Sequence, residues 1–162
     1  MRTVLFLIVF TTACRADAIF GTWKMDVGQS KVMGSAPSKS LTVRIEPHAK
    51  GEVFTLDRIE ADGRSLSSST ILYFDGAPHD FQDFGCSGTQ SSRRLDSRTI
   101  EIARTCASGE WTRFVRRLAA TPSELIVDVT GQQADGRRVE RRLVLEKQSE
   151  TGAARNGFVG KR

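Results

Sequence analysis

Histidine is almost missing from this chain: His48 and His79 are the only two among 162 residues, and they lie far apart in sequence. No Cys-x-x-Cys or His-x-x-x-His spacing occurs, so the sequence offers no metal site of the usual ligand geometry. A nucleophilic triad needs a histidine beside its nucleophile. His79, flanked by Asp75 and Asp80 in a turn-rich segment, reads as a solvated turn residue instead. There is no G-x-S-x-G elbow, and Gly85-Cys86-Ser87-Gly88 does not supply one. Helical periodicity is absent after the N-terminus, which removes the glycine-rich phosphate loop that opens a helix. No spacing singles out a carboxylate pair for acid–base work. These absences point away from an enzyme, and no cofactor is implied.

Long apolar runs are lacking too. The run from Val4 to Phe10 (VLFLIVF) has seven residues, against the roughly 20 that span a bilayer, so no transmembrane helix is expected. Arg2 precedes the run, small and polar residues follow it, and Ala16-Asp17-Ala18 has the A-x-A form of a leader-peptidase site. Residues 1–18 are therefore expected to be a cleaved secretory signal, with Ile19 as the first mature residue and a secreted or periplasmic product. Cys14 opens an alternative, a lipoprotein anchored through that cysteine.

Removing the signal takes away Arg2, Arg15 and Asp17, leaving 22 Lys+Arg against 18 Asp+Glu and a net charge of +4. The two signs are interleaved, and the arginine pairs (Arg93-Arg94, Arg116-Arg117, Arg137-Arg138, Arg141-Arg142) sit inside alternating segments. That is the pattern of solvated strand faces and not of a basic patch with aromatic platforms, so no nucleic-acid partner is expected. Cys86 and Cys106 remain after cleavage, and an exported chain with two cysteines is expected to join them.

What the sequence does hold is short alternating segments separated by turn signals. Strands are expected over residues 20–27, 39–46, 53–60, 65–74, 81–84, 88–95, 99–106, 110–119, 124–132 and 137–147. Ala61-Asp62-Gly63-Arg64 and Ala134-Asp135-Gly136-Arg137 each sit between two of them and read as one hairpin turn used twice. Nine or ten short strands on one 19–147 domain predict an all-β antiparallel up-and-down meander, closed into an 8–10-stranded barrel or folded as a sandwich. From Gln148 to Arg162 the chain is polar and aperiodic, a flexible tail. With Leu95 and Arg98 flanking an Asp96-Ser97 turn, Cys86 and Cys106 fall one residue short of direct opposition. The pattern carries no signal for oligomeric state.

Gly21-Thr22-Trp23 at the head of the first strand resembles the G-x-W motif of the lipocalins. The longer string Phe20–Val27, with Ser30-Lys31 and the Pro37 loop after it, is similar to secreted bacterial lipocalin-like proteins without an assigned activity. No second lipocalin motif of the T-D-Y type can be read. The resemblance implies structural roles for Gly21 and Trp23: the tryptophan closes the narrow end of a barrel, with an arginine from near the last strand packed across it. It also implies a small apolar or amphipathic ligand.

Strand alternation sets several arginines on apolar faces. Arg141 shares a face with Val139, Leu143 and Leu145; Arg104 shares one with Ile100, Ile102 and Cys106; Arg93 shares one with Leu95. In residues 110–119, Phe114 and Leu118 lie with Arg116, while Trp111 and Val115 lie with Arg113, so the inward face is open there. An inward guanidinium offers a planar fork that matches a carboxylate. Phe54, Leu56, Leu72, Ile102, Phe114, Val127 and Leu143 would wall the hydrocarbon part, as in the intracellular fatty-acid-binding relatives of lipocalins. Arg141, Arg104, Arg93 and Phe114 are thus the candidate ligand residues. For Arg141 two other roles stay open, snorkelling to water and packing on Trp23. The competing reading of the whole is a structural or protein-binding β domain with a filled core.

Overall fold

The computed structural model describes residues 18–33 and 38–149. The expected signal segment up to Asp17, Cys14 with it, and the tail beyond Ser149 lie outside the described residues.

Ten strands follow one another: β1 (Gly21–Met33), β2 (Ser40–His48), β3 (Gly51–Ile59), β4 (Ser65–Tyr73), β5 (His79–Asp83), β6 (Cys86–Arg94), β7 (Thr99–Cys106), β8 (Trp111–Leu118), β9 (Glu124–Gln132) and β10 (Arg138–Lys147). They form one antiparallel sheet in the order β4-β3-β2-β1-β10-β9-β8-β7-β6-β5. Every strand pairs with its successor except β4, and β1 pairs with β10, so the meander rolls into a nearly closed barrel whose seam lies between β4 and β5. Alternation decides which side of each strand turns inward. On β2, Leu41, Val43 and Ile45 are buried while Arg44 and Glu46 are exposed. The two Ala-Asp-Gly-Arg turns close in the same way. In each, the residue before the turn donates its N–H to the arginine carbonyl at 2.9 Å, and the aspartate Oδ1 accepts the arginine N–H.

One end of the barrel is plugged. Trp23, Ile45, Leu125 and Leu145 are fully buried there with Met25, Leu41, Val43 and Leu118, and Ala18, Ile19 and Phe20 pack against them. Each large side chain so buried contributes about 1.5–3 kcal/mol. The Trp23 Nε1–H donates to the Ile19 carbonyl at 2.9 Å, so the indole is satisfied as well as buried. Gly21 takes φ +120°, which L side chains rarely adopt, and a Cβ there would lie 3.3 Å from the Lys147 side chain. The cation on the indole is Lys147, its Nζ 5.4 Å from the ring centroid. This corrects the expected arginine. Lys147 stands opposite Trp23 in the ladder, whereas Arg141 is six residues away along β10, roughly 20 Å at the usual strand rise.

Three local features depart from the expected strands. β1 runs on to Met33 instead of ending at Val27, because a bulge between Asp26 and Lys31 absorbs the Gly-Gln-Ser segment. Asp26 Oδ1 accepts the Gly28 and Gln29 N–H groups, and the Ser30 hydroxyl replaces a ladder partner by accepting from Val144 N–H at 3.1 Å. The β6–β7 loop is one residue longer than expected. Asp96 Oδ1 accepts the Arg98 N–H at 2.7 Å and Leu95 bonds Thr99, which places Cys106 opposite Gly88. Cys86 therefore reaches Cys106 diagonally, and the two form a disulfide with Cα atoms 5.3 Å apart. A Cβ on Gly88 would sit 2.0 Å from the Thr105 carbonyl oxygen, so only glycine lets β6 close on β7 at this point. Finally, the β4–β5 seam is bridged by side chains. Gln90 Nε2 donates to Thr70 Oγ1 and to the Ile71 carbonyl, and the Ser92 hydroxyl donates to the Tyr73 carbonyl at 2.7 Å.

The disulfide closes a 20-residue separation. Replacing both cysteines by serine is expected to lower the unfolding free energy by about 3 kcal/mol in the chain-entropy description, read as a drop in urea midpoint. An unchanged midpoint would mean that the bridge restrains nothing.

Candidate functional site

Opposite the plug, β2 begins at Ser40, β3 ends at Ile59, β5 ends at Asp83, β6 begins at Cys86, β7 ends at Cys106 and β8 begins at Trp111, and these strand ends form a mouth. Behind it lies a cavity of about 340 Å³, at the small end of the roughly 300–1,000 Å³ of small-molecule sites. Its walls are mostly apolar, from Phe54, Leu56, Phe81, Ile102, Phe114 and Val127 among others. The disulfide and Phe84 stand at the rim. Phe84 has φ 38°, a left-handed conformation uncommon for a non-glycine residue, and its ring carries the Arg58 guanidinium 4.9 Å from its centroid.

Cationic groups enter the cavity at three depths. Deepest is Arg116 on β8, which makes a two-pronged ion pair with Glu52 on β3. Its Nη2 donates to Oε2 at 2.8 Å, and Nη1 to Oε1. Both residues are buried, 3% and 1% exposed, in a barrel where their strands lie five steps apart in either direction. The pair therefore crosses the lumen, and Arg116 forms part of the cavity floor. Midway, Arg104 donates to Asp83 Oδ2 at 3.0 Å and to Gln90 Oε1 at 3.3 Å. Its guanidinium lies 5.0 and 5.3 Å from the Phe81 and Phe114 centroids, between two rings. Burial pushes its pKa down from the ordinary arginine value, and Asp83 opposes that shift.

At the mouth are Arg58 and Arg141. Arg58 pairs with Glu60 at 2.7 Å. The Arg141 pKa is lowered, first by burial and then by the nearby Arg58 charge, with Glu60 acting the other way. An arginine stays charged through such shifts, so the mouth holds two guanidiniums crowded against each other.

The structure thus brings Arg141, Arg104 and Phe114 to one cavity and does not bring Arg93 there. Arg93 lies on the outer wall, 63% exposed, and binds Glu101 at 2.7 Å across from Arg113. Gln90 and Ser92 turn inward to bridge the seam, which sends residues 91, 93 and 95 outward. His79 opens β5 near the plugged end, paired with Asp75 at 2.9 Å and stacked on Tyr73 with centroids 4.2 Å apart. Four charged contributors lay outside the expected set: Glu52, Arg58, Asp83 and Arg116, whose strand face the alternation left open. Glu52 and Arg58 share the face of Phe54 and Leu56, and that shared face was the signal available for them. Among the described residues no group of three or more His, Cys, Asp or Glu is placed to hold a metal ion.

Neither a scan against known protein families nor a search of curated proteins finds a match. Solved structures do share the architecture. A Schistosoma mansoni fatty acid binding protein in complex with arachidonic acid superposes with a TM-score of 0.53 at 13% identity, covering 83% of this chain and 98% of that one. A zebrafish ileal bile acid-binding protein complexed with cholic acid gives 0.52 at 13% identity, covering 81% and 99%. At that identity the likeness shows a shared antiparallel β-barrel fold and nothing finer.

The Arg116–Glu52 pair makes a clear expectation. Glu52→Gln leaves a buried guanidinium uncompensated and should cost about 3–5 kcal/mol in chemical denaturation, whereas the double change Glu52→Leu with Arg116→Met should recover most of that loss. Equal losses from the single and double variants would show that the pair is not a closed unit.

Proposed function

We propose that this protein is an exported carrier that holds an amphipathic anion, apolar body inside the barrel and carboxylate at the mouth, without catalysing its conversion. The observation that carries the reading is the apolar cavity with two guanidiniums at its entrance. The deeper arginines are already matched: Glu52 neutralises Arg116, and Asp83 neutralises Arg104. At the mouth Arg58 and Arg141 lie beside one another with Glu60 next to them, and an added anion relieves the repulsion between the two guanidiniums as well as forming charge-assisted hydrogen bonds. The binding of fatty and bile acids by barrels of this fold supports the same ligand class. A cavity of about 340 Å³ weighs against a filled structural core.

Export is supported by the Met1–Ala18 pattern and by the Cys86–Cys106 disulfide. Cleavage before Ile19 keeps the carbonyl that accepts the Trp23 Nε1–H and forfeits the 2.7 Å bond from Lys147 Nζ to the Ala18 carbonyl together with the Ala18 packing on the plug.

Titration calorimetry with oleate tests the proposal. Arg141→Met should weaken binding at least tenfold, the loss of a charge-assisted contact of about 1.5–3 kcal/mol. The circular dichroism spectrum of the variant should match that of the wild type, so that the lost affinity reports on the contact and not on the fold. Oleate binding unaffected by the change, or no binding to the wild-type protein, would refute the reading.

A further inference from the structure

Single apolar side chains exposed on a protein surface are ordinary, whereas several gathered at one place mark an interaction site. Here they gather at the mouth. Met33 ends β1, Ile59 ends β3, Phe84 sits in the β5–β6 turn and Trp111 begins β8. All four are exposed, Met33 by 66% and Trp111 by 43%. The other exposed large apolar residues among those described are Val27, in the β1 bulge, and Leu95, just past the plugged end of β6. The four at the mouth do not form a groove. In the sheet order at least one further strand separates each from the next, so they make a collar around the opening. A bound peptide would follow one side of such a collar, whereas a broad flat surface laid against the mouth meets all four.

Charge at the same rim selects the kind of surface. Glu60, Asp62, Asp83 and Asp135 each have an arginine within 4.0 Å. Around the rim also stand Lys31, Lys39, Arg138 and Arg141 against Glu110 and Glu140, four positive charges to two negative. A second copy of this chain facing the mouth would set like charges against each other, while a layer of anionic lipid head groups complements them. Trp111 suits that boundary. Its ring is exposed while its Nε1–H donates to Gln132 Oε1 at 3.3 Å, and tryptophan collects at membrane–water interfaces. We infer that the protein docks mouth-first on an anionic lipid surface, with the apolar collar set among the head groups and the rim cations on lipid phosphates. This goes beyond the proposed function and does not depend on which ligand the cavity holds.

The test is sedimentation with vesicles of equal parts phosphatidylcholine and phosphatidylglycerol, and with vesicles of phosphatidylcholine alone. The protein used begins at Ile19, so that the apolar Val4–Phe10 run cannot itself insert. The mixed vesicles should carry the protein down, and the neutral ones should bind it about tenfold more weakly. The chain has two tryptophans and Trp23 is fully buried, so a fluorescence change reports Trp111. Its emission should shift to the blue on the mixed vesicles and be quenched by lipid brominated on its acyl chains. Met33→Ser together with Ile59→Ser should weaken vesicle binding about tenfold by removing two apolar contacts. Neither residue lines the cavity, and the circular dichroism spectrum should not change. Mixed vesicles that leave the protein in solution, a double variant that binds as tightly as the wild type, or Trp111 emission unmoved by bound vesicles would overturn the inference. So would equal binding to both kinds of vesicle, which would leave the rim charges without a role. Should lipid-free wild-type protein sediment as a dimer and the double variant as a monomer, the collar belongs to a second copy and the inference fails.

Discussion

The ion pair between Arg116 and Glu52 is the constraint on which the rest of the barrel turns. Two full charges sit almost completely out of water, where each costs several kcal/mol in desolvation, and two parallel hydrogen bonds offset that cost only if both partners hold their geometry. The strands that carry them face each other across the lumen, so their relative position is fixed by the pair as firmly as by any ladder. Below it the interior is a packed plug around Trp23; above it the interior is open. The pair thus acts as a strut across the lumen.

That division explains how charge is distributed in the cavity. Arginine is abundant on the inward faces, yet each deeper guanidinium has a dedicated carboxylate, which makes the interior close to neutral. At the mouth two guanidiniums, Arg58 and Arg141, lie close together with Glu60 beside them. On the proposed function, such a barrel takes a molecule with an apolar body and an anionic end and holds the anion outward. The seam between β4 and β5 fits the same account. It is closed by the Gln90 and Ser92 side chains instead of a backbone ladder, and Gln90 also contacts Arg104, so the polar groups of the seam and of the cavity wall form one network.

Much of this was legible in the residues, and the failures have physical causes. Period-two alternation located all ten strands, and it placed Arg141 and Arg104 inward because each has several apolar residues on its own face. Arg93 had only Leu95 as a reference, and Leu95 lies exposed at the end of its strand. The inward residues of β6 are Gln90 and Ser92, polar because they serve the seam, and an apolar/polar pattern cannot signal that. Glu52 was visible as a carboxylate on the face of Phe54 and Leu56, but its partner is 64 residues away in sequence, beyond any local pattern. The cation on Trp23 proved to be Lys147, which the strand register selects and the motif alone does not. The bulge in β1 escaped because its Gly-Gln-Ser segment has the composition of a loop, and only the Ser30 hydroxyl makes it part of the strand.

The central claim is that an amphipathic acid sits with its carboxylate at the mouth between Arg58 and Arg141. The most direct measurement is 13C NMR of oleate labelled at the carboxyl carbon, bound to the protein, with a soluble paramagnetic agent added. The account predicts one bound carboxyl resonance that the agent broadens strongly, because the head group lies at the solvent-facing end. A bound resonance that the agent leaves sharp would place the carboxylate deep beside Arg116 and contradict the account, and the absence of any bound resonance would contradict it outright.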